Sequence, residues 1–179
     1  MVFEEKKISS ERIYEGAILN LRRDTVTAPK GTAYREIVEH NGAVAIVPVT
    51  DNGRIVMVEQ FRYPSGKVLL EIPAGKIDRG ETDPGETARR ELREETGYQA
   101  EKLHFLGKIN PSVAYTEEVI HLYAATGLSP GETDFDDDEA INIVEYDFKE
   151  AYKMAASGRL VDAKTIAAIF MAKEQLDIK

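Results

Sequence analysis

The sequence predicts an α/β fold in which helices pack on a mixed β-sheet. Two observations support this prediction: apolar runs of strand length recur along the chain, and helical segments with capping signals alternate with them. With 179 residues, the chain has the length of one ordinary domain, or of one domain with a small appendage. Its 42% hydrophobic and 31% charged residues are typical of a globular protein.

The first part of the chain predicts a small β segment. It is polar, and short stretches of alternating character occur at Ala17–Val26 and Tyr34–Val38. We therefore divide the chain into an N-terminal β segment, residues 1–40, and a main domain, residues 41–179.

The main domain begins with apolar strands. The nearly continuous apolar run Ala43–Val49 is typical of a strand that is buried on both faces. Asn52-Gly53 follows it, and because this pair favours tight turns, Ile55–Phe61 is predicted to return as the second strand of a β-hairpin. Further strands are predicted at Val68–Ile72, Leu103–Ile109, Glu118–Ala125 and Ile141–Tyr146.

Capping signals mark three helices. Asp83 is a suitable N-cap, Pro84 suits the first helical position, and Gly97 ends this helix. The two later helices are predicted at 148–157 and 163–176. Because strands, a helix, more strands and two helices follow in that order, we expect a mixed sheet covered by helices.

Composition excludes several classes of function. The chain has no Cys, which rules out disulfides, thiolate catalysis and Cys-based metal sites. Its net charge of −9 argues against a nucleic-acid binder and against docking on anionic lipid, whereas the surplus carboxylates could hold divalent cations. The polar start Met1–Ser10 lacks the apolar core of a signal peptide, and no stretch is long and apolar enough for a membrane helix. We expect a soluble, cytoplasmic protein.

The helix after Asp83 carries a cluster of carboxylates. Glu91, Glu94 and Glu95 share one flank of this helix, and Glu95 lies beside its apolar stripe. Like charges at this spacing repel one another, and either Arg90 or a bound divalent cation would offset the repulsion. A solvated acidic face is the alternative interpretation of the cluster taken alone.

The residues around this cluster resemble the Nudix box, GX5EX7REUXEEXGU, in which U is a bulky apolar residue. Gly75 and Glu81 match the first two fixed positions. The end of the pattern is matched by Arg90, Glu91, Leu92, Glu94, Glu95, Gly97 and Tyr98. Eight residues separate Glu81 from Arg90 where the pattern has seven. The extra residue falls most naturally before the cap, so it affects the position of Glu81 and leaves the helix register unchanged.

The resemblance implies a fold, a reaction and a set of ligands. The Nudix fold is an α/β/α sandwich around a mixed sheet, and its members cleave a nucleoside diphosphate linked to another group with the help of metal ions. Mg²⁺ is the expected ion, with Mn²⁺ as an alternative. The implied metal ligands are Glu91, Glu95, Glu94 and the backbone carbonyl of Ala74, and Arg90 is expected to orient a glutamate.

Outside the box, most of the chain resembles bacterial ADP-ribose pyrophosphatases. Glu59-Gln60-Phe61-Arg62, the lead-in Glu71–Gly75 and Pro111 match segments that are typical of this subfamily. The segment Pro111–Glu118 departs from it, because it is longer and lacks a Gly. The candidate substrate-binding residues are Arg62, Glu118 and Arg35. For Arg62, an ordinary ion pair at a strand end is the alternative.

Two further expectations come from the same resemblance. The subfamily carries two functional acids in the region of the acidic run 134–139, and we assign them to Glu139 first and Asp137 second, one as a base for water and one near a metal. The N-terminal segment of this subfamily usually exchanges between subunits, so we expect a homodimer.

The predicted activity is Mg²⁺-dependent hydrolysis of ADP-ribose to AMP and ribose 5-phosphate. Hydrolysis of another nucleoside diphosphate sugar, such as GDP-mannose, is one alternative, because the segment Pro111–Glu118 is altered. A non-catalytic nucleotide sensor is the other alternative, although a sensor has no need for the three glutamates.

Overall fold

The computed structural model describes residues 1–78, 80–135, 140–176 and 178. Contacts divide the chain into two compact units. The N-terminal unit comprises Met1–Gly42 and Asn110–Val119, and the main unit comprises Ala43–Ile109 and Ile120–Lys179. The segment that follows residue 109 therefore belongs with the N-terminal strands, although it is distant from them in sequence.

The N-terminal unit is built on an antiparallel three-stranded sheet. Its strands are β1 (Lys7–Glu15), β2 (Asn20–Ala28) and β3 (Gly31–Glu39), in that spatial order. Strand β2 begins within the first stretch of alternating character, Ala17–Val26, and β3 contains the second, Tyr34–Val38. All nine residues of β1 are exposed, so no buried face gives this strand a hydrophobic pattern in the sequence.

The strands of the main unit form two sheets. These strands are β4 (Ala43–Pro48), β5 (Arg54–Arg62), β6 (Lys67–Glu71), β7 (Ala74–Lys76), β8 (Gln99–Ile109), β9 (Ile120–Ser129) and β10 (Ile141–Asp147). One sheet has the order β7-β4-β9-β8, in which β4 and β9 are parallel and the other pairs are antiparallel. The other sheet is antiparallel, with the order β10-β5-β6. The four-stranded sheet is thus mixed, as expected.

The predicted hairpin of β4 and β5 is wrong. The chain does turn at residues 50–53, and Gly53 takes a positive φ of 76°, but the two strands enter different sheets. Within the described residues, they are linked by the isolated antiparallel bridge Val49–Ile55, in which Val49 follows the end of β4. Both edges of β4 are paired with β7 and β9, and both edges of β5 with β6 and β10, so neither strand has an edge left for the other.

In the described part of the main unit there are three α-helices, and their N-caps agree with the sequence. They are α1 (Pro84–Thr96), α2 (Phe148–Ala156) and α3 (Ala163–Gln175). The Asp83 side chain accepts a hydrogen bond from the Gly85 N–H at the start of α1, and Gly97 ends this helix with a φ of 73°.

Helices cover both faces of the four-stranded sheet. Along β4, Val44 and Ile46 pack with Ala88 and Leu92 of α1. The alternate residues of β4 point to the opposite face, where their cluster includes α2 and α3. This layering is the predicted α/β/α sandwich. Among the described residues, none of the helices is long and apolar enough to cross a membrane.

Candidate active site

Gly75 brings strand β7 against the acidic flank of helix α1. A Cβ built on Gly75 would overlap the carboxyl carbon and both carboxyl oxygens of Glu91. The absence of a side chain at Gly75 is therefore what allows the Glu91 carboxylate to lie directly against the backbone of β7. The Glu91 side chain is only 12% exposed in this position.

Glu95 is held by the residue next to Gly75. Its Oε2 accepts a hydrogen bond of 3.0 Å from the backbone N–H of Ala74, and Glu95 as a whole is 4% exposed. Strand β7 is itself fixed by pairing with β4, where Ala74 lies opposite Ala45. The first and last carboxylates of the Glu91–Glu95 turn thus both face β7.

Arg90 contacts Glu91 and two further carboxylates of the site. Its Nη1 lies 2.9 Å from Glu91 Oε1 and donates a hydrogen bond of 2.8 Å to Glu94 Oε2, while its Nε lies 3.3 Å from Glu81 Oε1. Partial burial alone would lower the pKa of Arg90. The charge of Glu91 and the hydrogen bonds to Glu94 and Glu81 outweigh burial and raise the pKa above its ordinary value.

Glu81 joins this cluster in spite of the extra residue in the box. Its Oε2 accepts hydrogen bonds from the backbone N–H of Asp78 at 2.9 Å and from Thr87 Oγ1 at 3.0 Å. The Asp78 N–H is the main cause of the lowered pKa of Glu81, although Arg90 and Thr87 add to it. Glu81 therefore binds Arg90 even though eight residues separate the two in sequence.

The donors around this cavity suit a hard divalent cation. A cavity of about 80 Å³ is lined by β7, by Arg90, Glu91 and Glu94 of α1, and by Asp134. Its carboxylate and carbonyl oxygens are the ligand type that Mg²⁺ prefers, and Gly75 leaves room for a carboxylate beside the backbone. Within the part of the chain that the structure describes, no three acidic or histidine side chains already converge as a metal site. Glu91 and Glu94 contact Arg90, so both side chains would have to turn away from Arg90 in order to bind an ion.

Arg62 is paired with a carboxylate that the sequence analysis did not single out. Its Nε and Nη2 donate hydrogen bonds of 2.8 and 3.0 Å to the two carboxyl oxygens of Glu71, which is 2% exposed. The second cation at Glu71 is Lys164, on helix α3. In the sequence, Glu71 stands out only as part of the lead-in to the box, and no local spacing connects it with Lys164.

The remaining candidate residues belong to the N-terminal unit or lie outside the described residues. Arg35 and Glu118 belong to the N-terminal unit, where Arg35 pairs with Glu5 and Glu118 lies 3.5 Å from His40 Nδ1. Asp137 and Glu139 lie outside the described residues.

Comparison with protein families identifies the domain that contains this site. The family model of the NUDIX domain matches residues 39–169, which include the whole Gly75–Tyr98 segment. The chain belongs to the Nudix family. A second model, of the nucleoside diphosphate sugar hydrolase N-terminal domain, matches residues 5–36. Enzymes of the Nudix family are hydrolases that generally use divalent metal ions.

Several named proteins are similar to this Nudix chain over most of its length. A methanol dehydrogenase activator of Bacillus methanolicus is 45% identical over 94% of this chain and 92% of its own length. An ADP-ribose pyrophosphatase of Bacillus subtilis is 44% identical over 93% of this chain and 91% of its own length. A GDP-mannose pyrophosphatase of Yersinia enterocolitica is 35% identical over 80% of this chain and 81% of its own length.

A solved structure supports the fold. The structure described as an ADP compounds hydrolase superposes with a TM-score of 0.85 at 22% sequence identity, covering 99% of this chain and 96% of that chain. At this level of identity, the match concerns the fold alone.

Proposed function

We propose that this Nudix enzyme hydrolyses the diphosphate bond of ADP-ribose to AMP and ribose 5-phosphate with Mg²⁺ as its metal. The observation that carries the proposal is the contact of the Glu91–Glu95 turn with β7, because it holds two carboxylates against the backbone of Ala74 and Gly75. The similarity to an ADP-ribose pyrophosphatase over most of both chains supports the choice of substrate.

Each residue of the site has a chemical task in this proposal. Glu91, Glu95, Glu94 and the carbonyl of Ala74 would hold the metal, which would neutralise the negative charge of the diphosphate and lower the pKa of a bound water. Arg90 keeps the glutamates in place by charge-assisted hydrogen bonds. Arg62 supplies a positive charge to the diphosphate of the substrate.

Further parts of the proposal rest on the family resemblance. We propose Glu139, and next Asp137, as the group that accepts a proton from the attacking water. We also propose that Arg35 and Glu118 contact the substrate, that the N-terminal β segment 1–40 is an exchange arm in a homodimer, and that the protein is cytoplasmic and binds no nucleic acid. The match of residues 5–36 to the N-terminal domain of nucleoside diphosphate sugar hydrolases supports an arm of this kind.

Two alternatives have their own supporting observations. The similarity to a GDP-mannose pyrophosphatase, together with the longer segment Pro111–Glu118, favours another nucleoside diphosphate sugar as substrate. The other alternative is a non-catalytic nucleotide sensor, and it is favoured by the relative whose name, methanol dehydrogenase activator, refers to an effect on another enzyme.

Product analysis on a panel of nucleoside diphosphate sugars tests the proposal, with Mg²⁺, with Mn²⁺ and with EDTA. We expect AMP and ribose 5-phosphate from ADP-ribose, and no product in EDTA. Faster cleavage of GDP-mannose would move the assignment to the other substrate. If no diphosphate is hydrolysed under any condition, the hydrolase proposal is wrong and the nucleotide sensor takes its place.

A further inference from the structure

Glu71 is a buried carboxylate that lies between two cations. It ends strand β6, and its exposed fraction is 2%. Arg62 donates two hydrogen bonds to it, and the Nζ of Lys164 contacts its Oε2. Burial alone would raise the pKa of Glu71, but the hydrogen bond from Arg62 and the positive charge of Lys164 lower it below the ordinary value. The carboxylate is therefore ionised at neutral pH.

Lys164 occupies an unusual place for a cation. It lies in the first turn of α3, one residue after the first helical position, where the helix dipole disfavours positive charge. Its side chain is only 13% exposed, and its Nζ lies 3.0 Å from Asp162 Oδ2. Asp162 is the N-cap of α3 and accepts a hydrogen bond of 3.0 Å from the N–H of Thr165. The capped end of the helix thus fixes the ammonium group beside Glu71.

The same end of α3 is tied to the strand that leads into the metal-binding residues. Thr165 Oγ1 accepts a hydrogen bond of 3.0 Å from the backbone N–H of Ile72, the residue after Glu71. Two residues further on, Ala74 donates to Glu95. The pKa of Arg62 is raised mainly by its hydrogen bonds to Glu71, and burial opposes this effect. The negative charge of Glu95 also raises the pKa of Arg62. Arg62 therefore lies within electrostatic reach of the candidate active site.

We propose that Lys164 is a positioning residue for substrate binding, because it offsets the charge of Glu71 and thereby leaves the positive charge of Arg62 available to the diphosphate. The inference rests on the proposed function and deepens it. Without Lys164, the guanidinium of Arg62 would be the main counter-charge of a buried carboxylate. Its attraction for an anionic substrate would fall, while the Glu91–Glu95 turn would be unchanged.

The test is the kinetics of ADP-ribose hydrolysis by Lys164→Met, which removes the charge and keeps most of the side-chain volume. We expect KM to rise about tenfold, while kcat stays within about twofold of the wild-type value, because the lost interaction acts on binding. Lys164→Arg should restore KM. The matched control is Lys173→Met on the same helix, whose ammonium group donates to the Ile178 carbonyl and which should keep both constants.

A purely structural role would have a different signature. If Lys164→Met lowers the melting temperature and reduces kcat while KM stays unchanged, the positioning role is wrong. Thr165→Val provides a reference for this signature, because it removes the hydrogen bonds of the Thr165 hydroxyl to Ile72 and Asp162 without changing any charge. If Lys164→Met does not fold, Lys164→Gln takes its place with the same expected rise in KM.

The failure of the inference can be distinguished from the failure of the proposed function. The affinity of each variant for ADP-ribose is measured by calorimetry in EDTA, where no turnover is needed. A wild-type protein that hydrolyses no diphosphate contradicts the proposed function. The role of Lys164 is then tested by comparing the affinities of the wild type and Lys164→Met for ADP-ribose, and equal affinities would contradict it. An active wild type together with equal affinity and equal KM for Lys164→Met overturns the inference alone.

Discussion

Replacing Gly75 by Ala tests whether the contact between β7 and α1 builds the catalytic centre. The new Cβ would overlap the carboxyl group of Glu91, so this side chain has to leave its position against the backbone. Glu91 would also lose its present arrangement with Arg90 Nη1, which lies 2.9 Å from its Oε1. The backbone of Gly75 is not in the left-handed region, so the substitution acts through the carboxylate and not through backbone strain.

The structure separates the effects on stability and on activity. Overpacking a rigid core costs about 1–3 kcal/mol, but the Glu91 carboxylate is the far end of a flexible side chain, so we expect a loss of stability below about 1 kcal/mol. For catalysis, the substitution displaces Glu91, one of the proposed metal ligands. We expect kcat/KM to fall at least about 100-fold, which corresponds to about 2.7 kcal/mol of transition-state stabilisation.

The assay measures kcat/KM for ADP-ribose at several Mg²⁺ concentrations, together with the melting temperature. Gly85→Ala is the matched control, because its nearest neighbour outside the adjoining residues would be Asp83 Oδ1 at 3.1 Å and no carboxylate of the site is affected. Wild-type activity of Gly75→Ala at low Mg²⁺ would refute this reasoning. So would a loss of activity that accompanies unfolding.

Two further predictions concern buried carboxylates. Glu95→Gln should abolish turnover and leave the melting temperature nearly unchanged, because the amide oxygen can still accept the hydrogen bond from Ala74 while the charge is lost; turnover near the wild-type rate would contradict the metal assignment. Glu71→Gln should destabilise the fold at pH 7 by about 2 kcal/mol in urea denaturation, the order of magnitude of hydrogen bonds to a charged group. Because folding lowers the pKa of Glu71 from 4.5, the ionised carboxylate stabilises the fold above pH 4.5. This contribution is lost as the pH falls through the pKa of Glu71 in the folded protein, so the stabilities of the wild type and Glu71→Gln should converge in acid. A difference that stays constant from pH 7 to acid would contradict this linkage.

The sequence predicts α1 well because its signals are local. Asp83, Pro84 and Gly97 fix both ends of the helix, and these ends determine which residues share its flank. The resemblance then assigns Glu91, Glu94 and Glu95 as ligands, and their register in the helix needs no knowledge of the rest of the fold. The structure adds the overlap that explains Gly75, which depends on where β7 lies.

The parts that the sequence did not predict depend on distant residues. The turn at Asn52-Gly53 is a local signal. The pairing of the strands that flank it is not, because β4 pairs with β7 and β9, whereas β5 pairs with β6 and β10. The ion pair of Lys164 with Glu71 joins residues 93 positions apart. No periodicity or spacing in a single sequence reports such a contact.

The extra residue in the Nudix box shows how these two kinds of information combine. A helix keeps its register once its cap is fixed, so an insertion before Asp83 leaves the Glu91–Glu95 turn unchanged. The insertion acts on Glu81, which lies in the loop before the cap. Glu81 nevertheless reaches Arg90, because the Asp78 N–H and the Thr87 hydroxyl hold its carboxylate from both sides of the insertion. The ion pair of Glu81 with Arg90 therefore forms despite the longer loop, because both partners have long side chains.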